Sequence, residues 1–72
     1  MKLQVNGEPE ELENGLTLTA FLQSKGIQPQ MVVVEHNTAI PDRSTWDTLA
    51  LADGDVLEIV KFMGGGAGIA RV

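Results

Sequence analysis

The chain has 72 residues, a length that fits one domain. Its formal net charge of −5 argues against a basic surface for binding nucleic acid. It contains no cysteine, so it can form neither a disulfide nor a cysteine persulfide. No apolar run reaches transmembrane length and no signal-peptide pattern opens the chain, so we expect a cytoplasmic protein without membrane contact. The acidic surface favours basic protein partners or serves solubility alone. His36 is the single histidine, so no metal site is expected.

The first residues predict a β-hairpin. Apolar and polar residues alternate from Lys2 to Val5, the period expected of a half-buried strand. Asn6-Gly7 follows, and both residue types tolerate the positive φ angles that a tight hairpin turn requires. A second strand is predicted from Glu8 to Leu12, and Pro9 indicates that it lies at a sheet edge or begins irregularly.

A short helix is predicted after the hairpin. Thr17 is a suitable N-cap, because its hydroxyl can accept a hydrogen bond from an early backbone N–H group. Leu18, Phe21 and Leu22 recur at helical spacing and form one apolar stripe. Gly26 suits the left-handed position that ends a helix.

The middle of the chain predicts strands separated by turns. The β-branched run Met31–Val34 indicates a central strand buried on both faces or nearly so. Asn37-Thr38 then turns the chain into a short strand at Ala39-Ile40, which Pro41 ends. One helical turn is expected near Ser44 to Asp47, where Trp46 would cap the core.

The last strand is predicted from Val56 to Phe62, after a turn at Asp53-Gly54-Asp55. Leu57 and Ile59 share one face, which we expect to pack against the helix. Val60 and Phe62 would then be exposed on the other face and form a partner-docking patch.

These elements predict an α+β fold in which one main helix lies across a mixed sheet. The first and last strands should pair in parallel at its centre. Residues 1–63 would form the domain, and residues 64–72 a flexible glycine-rich tail, because glycine has no side chain to pack.

The three glycines Gly64-Gly65-Gly66 are the main candidate for function. Met63 to Gly66, fully extended, reach roughly 13 Å at about 3.4 Å per residue, enough to enter a partner's narrow site. A carboxylate there could be converted to an acyl-adenylate, from which a sulfur nucleophile would form a thiocarboxylate. A plain flexible linker is the alternative interpretation.

Motifs along nearly the whole chain resemble the ThiS family, the ubiquitin-like β-grasp sulfur carriers of bacterial thiamin biosynthesis. The matching segments are Val5-Asn6-Gly7, Thr17 to Leu22, Val32 to Asn37, Ile40 to Arg43 with Trp46, and Asp53 to Gly66. The combination of Asp-Gly-Asp, a glutamate-containing apolar strand and a diglycine end is the most specific part of the resemblance.

The resemblance implies a carrier that is not itself an enzyme and binds no cofactor. An E1-like adenylyltransferase of the ThiF type would use ATP to adenylate Gly66, or Gly65 if the mature chain ends there. A sulfur donor such as a cysteine desulfurase would supply the sulfur, and a thiazole synthase of the ThiG type would accept it. Gly64, Gly65 and Met63 would form the segment that enters these partners.

The chain departs from the family pattern because Ala67–Val72 follow the glycines. While they are attached, Gly66 has no free carboxylate, so we expect a processing protease to remove them. Two alternatives stay open: a sulfur carrier of another pathway, such as the small subunit of molybdopterin synthase, and a non-carrier β-grasp interaction module. The molybdopterin family often has Pro-Pro ahead of its diglycine, whereas this chain has Lys61-Phe62-Met63, which favours the thiamin carriers.

Overall fold

The computed structural model describes residues 1–62 and 68–72, with Ile69 described by its backbone alone. The predicted α+β class is confirmed. The elements are β1 (Lys2–Val5), β2 (Glu8–Glu11), α1 (Leu18–Ser24), β3 (Val32–His36), β4 (Val56–Phe62) and β5 (Ile69–Arg71), with 3₁₀ turns at Pro29–Met31 and Arg43–Thr45.

The strands form one mixed sheet in the order β2-β1-β4-β3. β1 and β4 pair in parallel at its centre, with Gln4 opposite Val56, as predicted. β2 and β3 are antiparallel to their neighbours. β5 pairs antiparallel with β4 beyond the point where β1 ends.

The predicted hairpin turn and helix caps are confirmed. Asn6 and Gly7 have φ angles of 52° and 82°, as a tight turn between β1 and β2 requires. Thr17 Oγ1 accepts a hydrogen bond from Ala20 N at 3.2 Å. Gly26, two residues after α1, has a φ of 72°, which side-chain-bearing residues rarely adopt.

The core lies between α1 and one face of the sheet, and the predicted facing of β4 is confirmed. Leu57 and Ile59 are 0% and 1% exposed. On the opposite face, Val60 is half-buried and Phe62 is 50% exposed. Trp46 closes the core, as predicted. The remaining core residues are Leu3, Leu18, Phe21, Leu22, Val32, Val34 and Leu51.

β3 is not the central, doubly buried strand that its β-branched run predicts. It lies at the end of the strand order, and among the strands of residues 1–62 and 68–72 it pairs with β4 alone. Val33 is half-buried and Glu35 exposed, because the helix covers only one face of the sheet. The strand also begins one residue later, at Val32, and continues to His36.

The predicted strand at Ala39-Ile40 is wrong. Asn37 and Thr38 have positive φ angles of 49° and 73° and reverse the chain within two residues. Ala39 forms a single bridge to His36, and Ile40 is 69% exposed. Pro41 follows and has no backbone N–H group, so the pairing does not continue.

The segment after the glycines differs from the predicted flexible tail. Ile69–Arg71 form β5, opposite Val60–Phe62. A strand of this length is too short to show a periodic pattern in the sequence. The predicted domain boundary at residue 63 lies outside the described residues.

Candidate functional site at the carboxyl end of β4

The candidate site lies where β4 ends and the chain enters the glycines. Val60 and Phe62, the predicted docking residues, share the sheet face that α1 leaves open. Met63, Gly64, Gly65 and Gly66 lie outside the described residues. The structure therefore describes the approach to the glycines, and their own role stays a prediction.

A shallow apolar groove adjoins this end of β4. It has a volume of about 500 Å³ and runs between the loop after α1 and the last residues of β4. Ile27, Met31, Phe62 and Val72 line it. Phe62 and Met31 are each about half exposed, so apolar surface surrounds the point where the chain leaves β4.

The edge of β4 that faces β1 and β5 is paired by three different groups in succession. Asn6 N donates to Leu57 O at 2.8 Å, at the end of β1. The Asn6 side chain continues the ladder: its Oδ1 accepts from Ile59 N at 2.7 Å and its Nδ2 donates to Ile59 O at 3.2 Å. Next along the edge, β5 pairs with Lys61.

Asn6 therefore does more than form the hairpin turn that the sequence predicts. Its Nδ2 also donates to Val72 O at 2.7 Å, so one amide joins β1, β4 and the end of β5. The Asn-Gly pattern indicates a turn and says nothing of where the side chain points. Sequence reasoning could not have found this role.

The open face of β4 is acidic at Glu58. Glu35 lies directly opposite Glu58 on β3, and like charges at such positions repel. Arg71 on β5 offsets this, because its guanidinium lies 2.8 Å from the Glu58 carboxylate. The segment after the glycines thus contributes the cation of this pair.

A second polar cluster fixes the opposite, amino end of β4. Asp55 is 8% exposed and accepts hydrogen bonds from Asn37 Nδ2 at 2.9 Å, from His36 Nε2 at 2.8 Å and from Ala52 N at 2.9 Å. Asn37 Oδ1 in turn accepts from Val56 N at 2.8 Å. The predicted turn at Asp53-Gly54-Asp55 is present, but Asp55 also ties the end of β3 to the start of β4.

The pKa of Asp55 lies below its ordinary value. Burial by itself would raise that pKa, because it disfavours the charged carboxylate. The hydrogen bonds from Asn37, His36 and Ala52, together with the attraction of His36, outweigh burial and stabilise the charged form. Hydrogen bonds from Ser44 also lower the pKa of exposed Asp42.

We expect a loss of stability in acid that depends on Asp55. A carboxyl whose folded pKa is lowered stabilises the fold above its unfolded pKa, about 3.9, and this contribution is lost as pH falls through the folded pKa. The free energy of unfolding, measured by urea titration between pH 6 and pH 2, should therefore fall below about pH 4. Asp55→Asn should flatten this dependence, leaving the part due to Asp42. An equally steep decline in Asp55→Asn would contradict the assignment.

Arg43 links the 3₁₀ turn at Pro29–Met31, the start of β3 and the Trp46 ring. Its guanidinium donates to the backbone carbonyls of Pro29 and Val32 and lies 4.8 Å from the centroid of the Trp46 ring. The planar guanidinium can make both hydrogen bonds and stack at once, whereas a lysine ammonium cannot.

Arg43→Ala should lower the free energy of unfolding by about 2 kcal/mol, because charged hydrogen bonds and a cation–π contact are lost together. Arg43→Lys keeps the charge and should recover less than half of that loss. Chemical denaturation of both variants measures the difference. A lysine variant as stable as the original chain would show that charge alone matters.

Within residues 1–62 and 68–72, no helix is both long and apolar enough to cross a membrane. The same residues contain no group of three or more histidine, cysteine, aspartate or glutamate side chains arranged to hold a metal ion.

Comparison with known proteins identifies the family. A model described as the ThiS family matches residues 3–66. The chain belongs to the ThiS family. The sulfur carrier protein ThiS of Bacillus subtilis is 35% identical over 65 residues, which cover 89% of this chain and 98% of that protein. The crystal structure of the thiamine biosynthesis protein ThiS from Geobacter metallireducens superposes with a TM-score of 0.78 at 36% identity, covering 92% of this chain and 100% of that one. The ubiquitin-like β-grasp fold expected from the resemblance is confirmed.

Two other relatives of this ThiS family member are much longer. The thiazole synthase of Magnetococcus marinus is 42% identical over 66 residues, which cover 92% of this chain but 20% of that protein. A thiazole synthase of Paramagnetospirillum magneticum matches in the same way, over 21% of its length. The chain therefore spans about a fifth of the length of these two relatives.

Proposed function

We propose that this ThiS family member carries sulfur as a thiocarboxylate on Gly66. The observation that carries the proposal is the extent of the family match, which ends at residue 66, the last of the consecutive glycines. The sulfur carriers named among its relatives support the same role. The protein would act as a carrier and co-substrate, and its partners as the enzymes.

The proposed chemistry needs a free carboxylate. A ThiF-type adenylyltransferase would join the Gly66 carboxylate to the AMP part of ATP and release pyrophosphate. Hydrosulfide, released when a thiol reduces the persulfide of a donor such as a cysteine desulfurase and itself becomes a disulfide, would then attack the acyl carbon. The carbon–sulfur bond forms, the carbon–oxygen bond to AMP breaks, and AMP leaves.

The surface around the end of β4 fits protein docking. Val60 and Phe62 provide apolar area beside Glu58 and Glu35, so a partner with an apolar patch and a basic rim would be complementary. A ThiG-type thiazole synthase is the proposed sulfur acceptor. The sequence relationship to two thiazole synthases supports this partner.

Cleavage after Gly66 is part of the proposal, because a peptide bond to Ala67 leaves no carboxylate to adenylate. Intact-mass spectrometry of the protein from its native host tests this. We expect a species ending at Gly66 and a second in which sulfur replaces one oxygen. Species ending at Gly65 would move the carrier position by one residue. If every chain detected continued past Gly66 and none carried sulfur, the proposal would be contradicted.

A further inference from the structure

The edge of β4 at Ile59–Phe62 is occupied by the chain's own segment after the glycines. Val72 N donates to Ile59 O at 3.1 Å, and Lys61 lies opposite Ala70. Asn6 holds the end of this segment through Val72 O. Without β5, Lys61 would present an unpaired backbone edge, which is a template for pairing with another strand.

Successive residues of β4 direct their backbone groups toward different neighbours. Hydrogen-bonded pairs alternate along an antiparallel ladder, so the bond from Val72 to Ile59 makes Lys61 and Ala70 the next such pair. On the other side, Asn37 N donates to Val56 O at 2.9 Å. The same alternation places the Val60 amide in the ladder to Val33 of β3.

The contacts of β5 are suited to reversible pairing. β5 has three residues, and its ion pair joins a 64% exposed Arg71 side chain to a 32% exposed Glu58 side chain. Exposed ion pairs stabilise weakly, and short edge strands open readily. However, a segment tethered next to its site binds at a high effective concentration. β5 can therefore hold the edge yet yield to a partner.

We propose that residues 69–72 are a cis-acting competitor for the docking surface at the end of β4. While β5 is paired, it fills the edge at Lys61 and its Arg71 neutralises Glu58, the acidic group beside Val60. A partner that uses this edge and face must displace β5 first. This inference rests on the proposed function, since the partner tested below is a ThiF-type adenylyltransferase.

The pairing itself is tested by hydrogen exchange measured by NMR on the full chain. Ala70→Pro removes the donor that faces Lys61, and Ala70→Ser is the matched control that keeps it. The Lys61 amide should be protected in the original chain and in Ala70→Ser, and should lose at least about tenfold in protection in Ala70→Pro. The Val60 amide, bonded to β3, should keep its protection in all three.

The competition is tested by titrating the same three chains with a ThiF-type adenylyltransferase and measuring Kd by calorimetry. Apparent affinity scales with the fraction of open protein, so Ala70→Pro should bind about tenfold more tightly if β5 is paired about ten times as often as it is open. A chain ending at Gly66 should bind at least as tightly as Ala70→Pro. We expect this shortened chain to fold, because its relative from Geobacter metallireducens has a solved structure of the same fold and is matched over its whole length by 92% of this chain.

The outcomes separate the inference from the proposed function. A Lys61 amide unprotected in the original chain would overturn the pairing. A protected Lys61 amide with equal affinities for the original chain and Ala70→Pro would overturn the competition. Failure of the chain ending at Gly66 to bind would overturn the proposed activating partner and the competition together, while Lys61 protection would still establish the pairing.

Discussion

Replacing Gly66 with alanine in a chain that ends there should lower the rate of sulfur transfer by at least about 100-fold, the loss that a small misplacement of reacting atoms can cause. The added methyl group stands next to the carboxylate that must be attacked. It also restricts a backbone that glycine leaves free. The measurement is thiocarboxylate formation with the adenylyltransferase, ATP and a sulfur source.

The matched control is Gly64→Ala, which adds the same methyl group but leaves the terminal residue unchanged. It should cost less than Gly66→Ala, and both variants should unfold at the temperature of the parent chain. Unimpaired transfer in Gly66→Ala would show that the last residue need not be glycine and would contradict this prediction, whereas no transfer in the parent chain would favour the interaction-module alternative. Equal losses in the two variants would show that the width of the whole tail matters, rather than its last residue.

Replacing Asp55 with alanine should lower the free energy of unfolding by about 3 kcal/mol, because buried hydrogen bonds to a charged acceptor are lost and their donors remain. The carboxylate accepts from Asn37, His36 and Ala52, and alanine replaces none of these bonds. In a domain of this size the melting temperature should fall by more than about 10 °C.

Asp53→Ala is the natural comparison, since Asp53 lies in the same turn. Its carboxylate is exposed and accepts a hydrogen bond from Lys2 N at 2.6 Å. We expect that variant to lose about 1 kcal/mol at most. If Asp53→Ala were as destabilised as Asp55→Ala, the turn geometry rather than the buried cluster would be the source of stability.

The sequence predicts the parts of the fold that local rules determine. Asn6-Gly7, Thr17 and Gly26 each require a backbone geometry or a cap that few residue types provide, and all occur as expected. The buried face of β4 also follows from the sequence, because successive side chains of a strand lie on opposite faces. With Leu57 and Ile59 buried in the core, Val60 and Phe62 lie on the other face.

What the sequence does not predict depends on tertiary neighbours. The run Val32–Val34 has the composition of a central strand, but its position is set by which strands lie beside it. Asn6, Asp55 and Arg71 act through side-chain bonds to residues distant in sequence. No periodicity or turn pattern records such contacts.

The proposal that sulfur is carried on a free Gly66 carboxylate is best tested by comparing the full chain with a chain ending at Gly66. Both are incubated with a ThiF-type adenylyltransferase, ATP and a sulfide source, and their intact masses are measured. We expect the chain ending at Gly66 to exchange one oxygen for sulfur and the full chain to stay unchanged. Sulfur on the full chain would contradict this expectation. Sulfur on neither chain would also contradict it, provided that the same enzyme preparation is active on its own carrier.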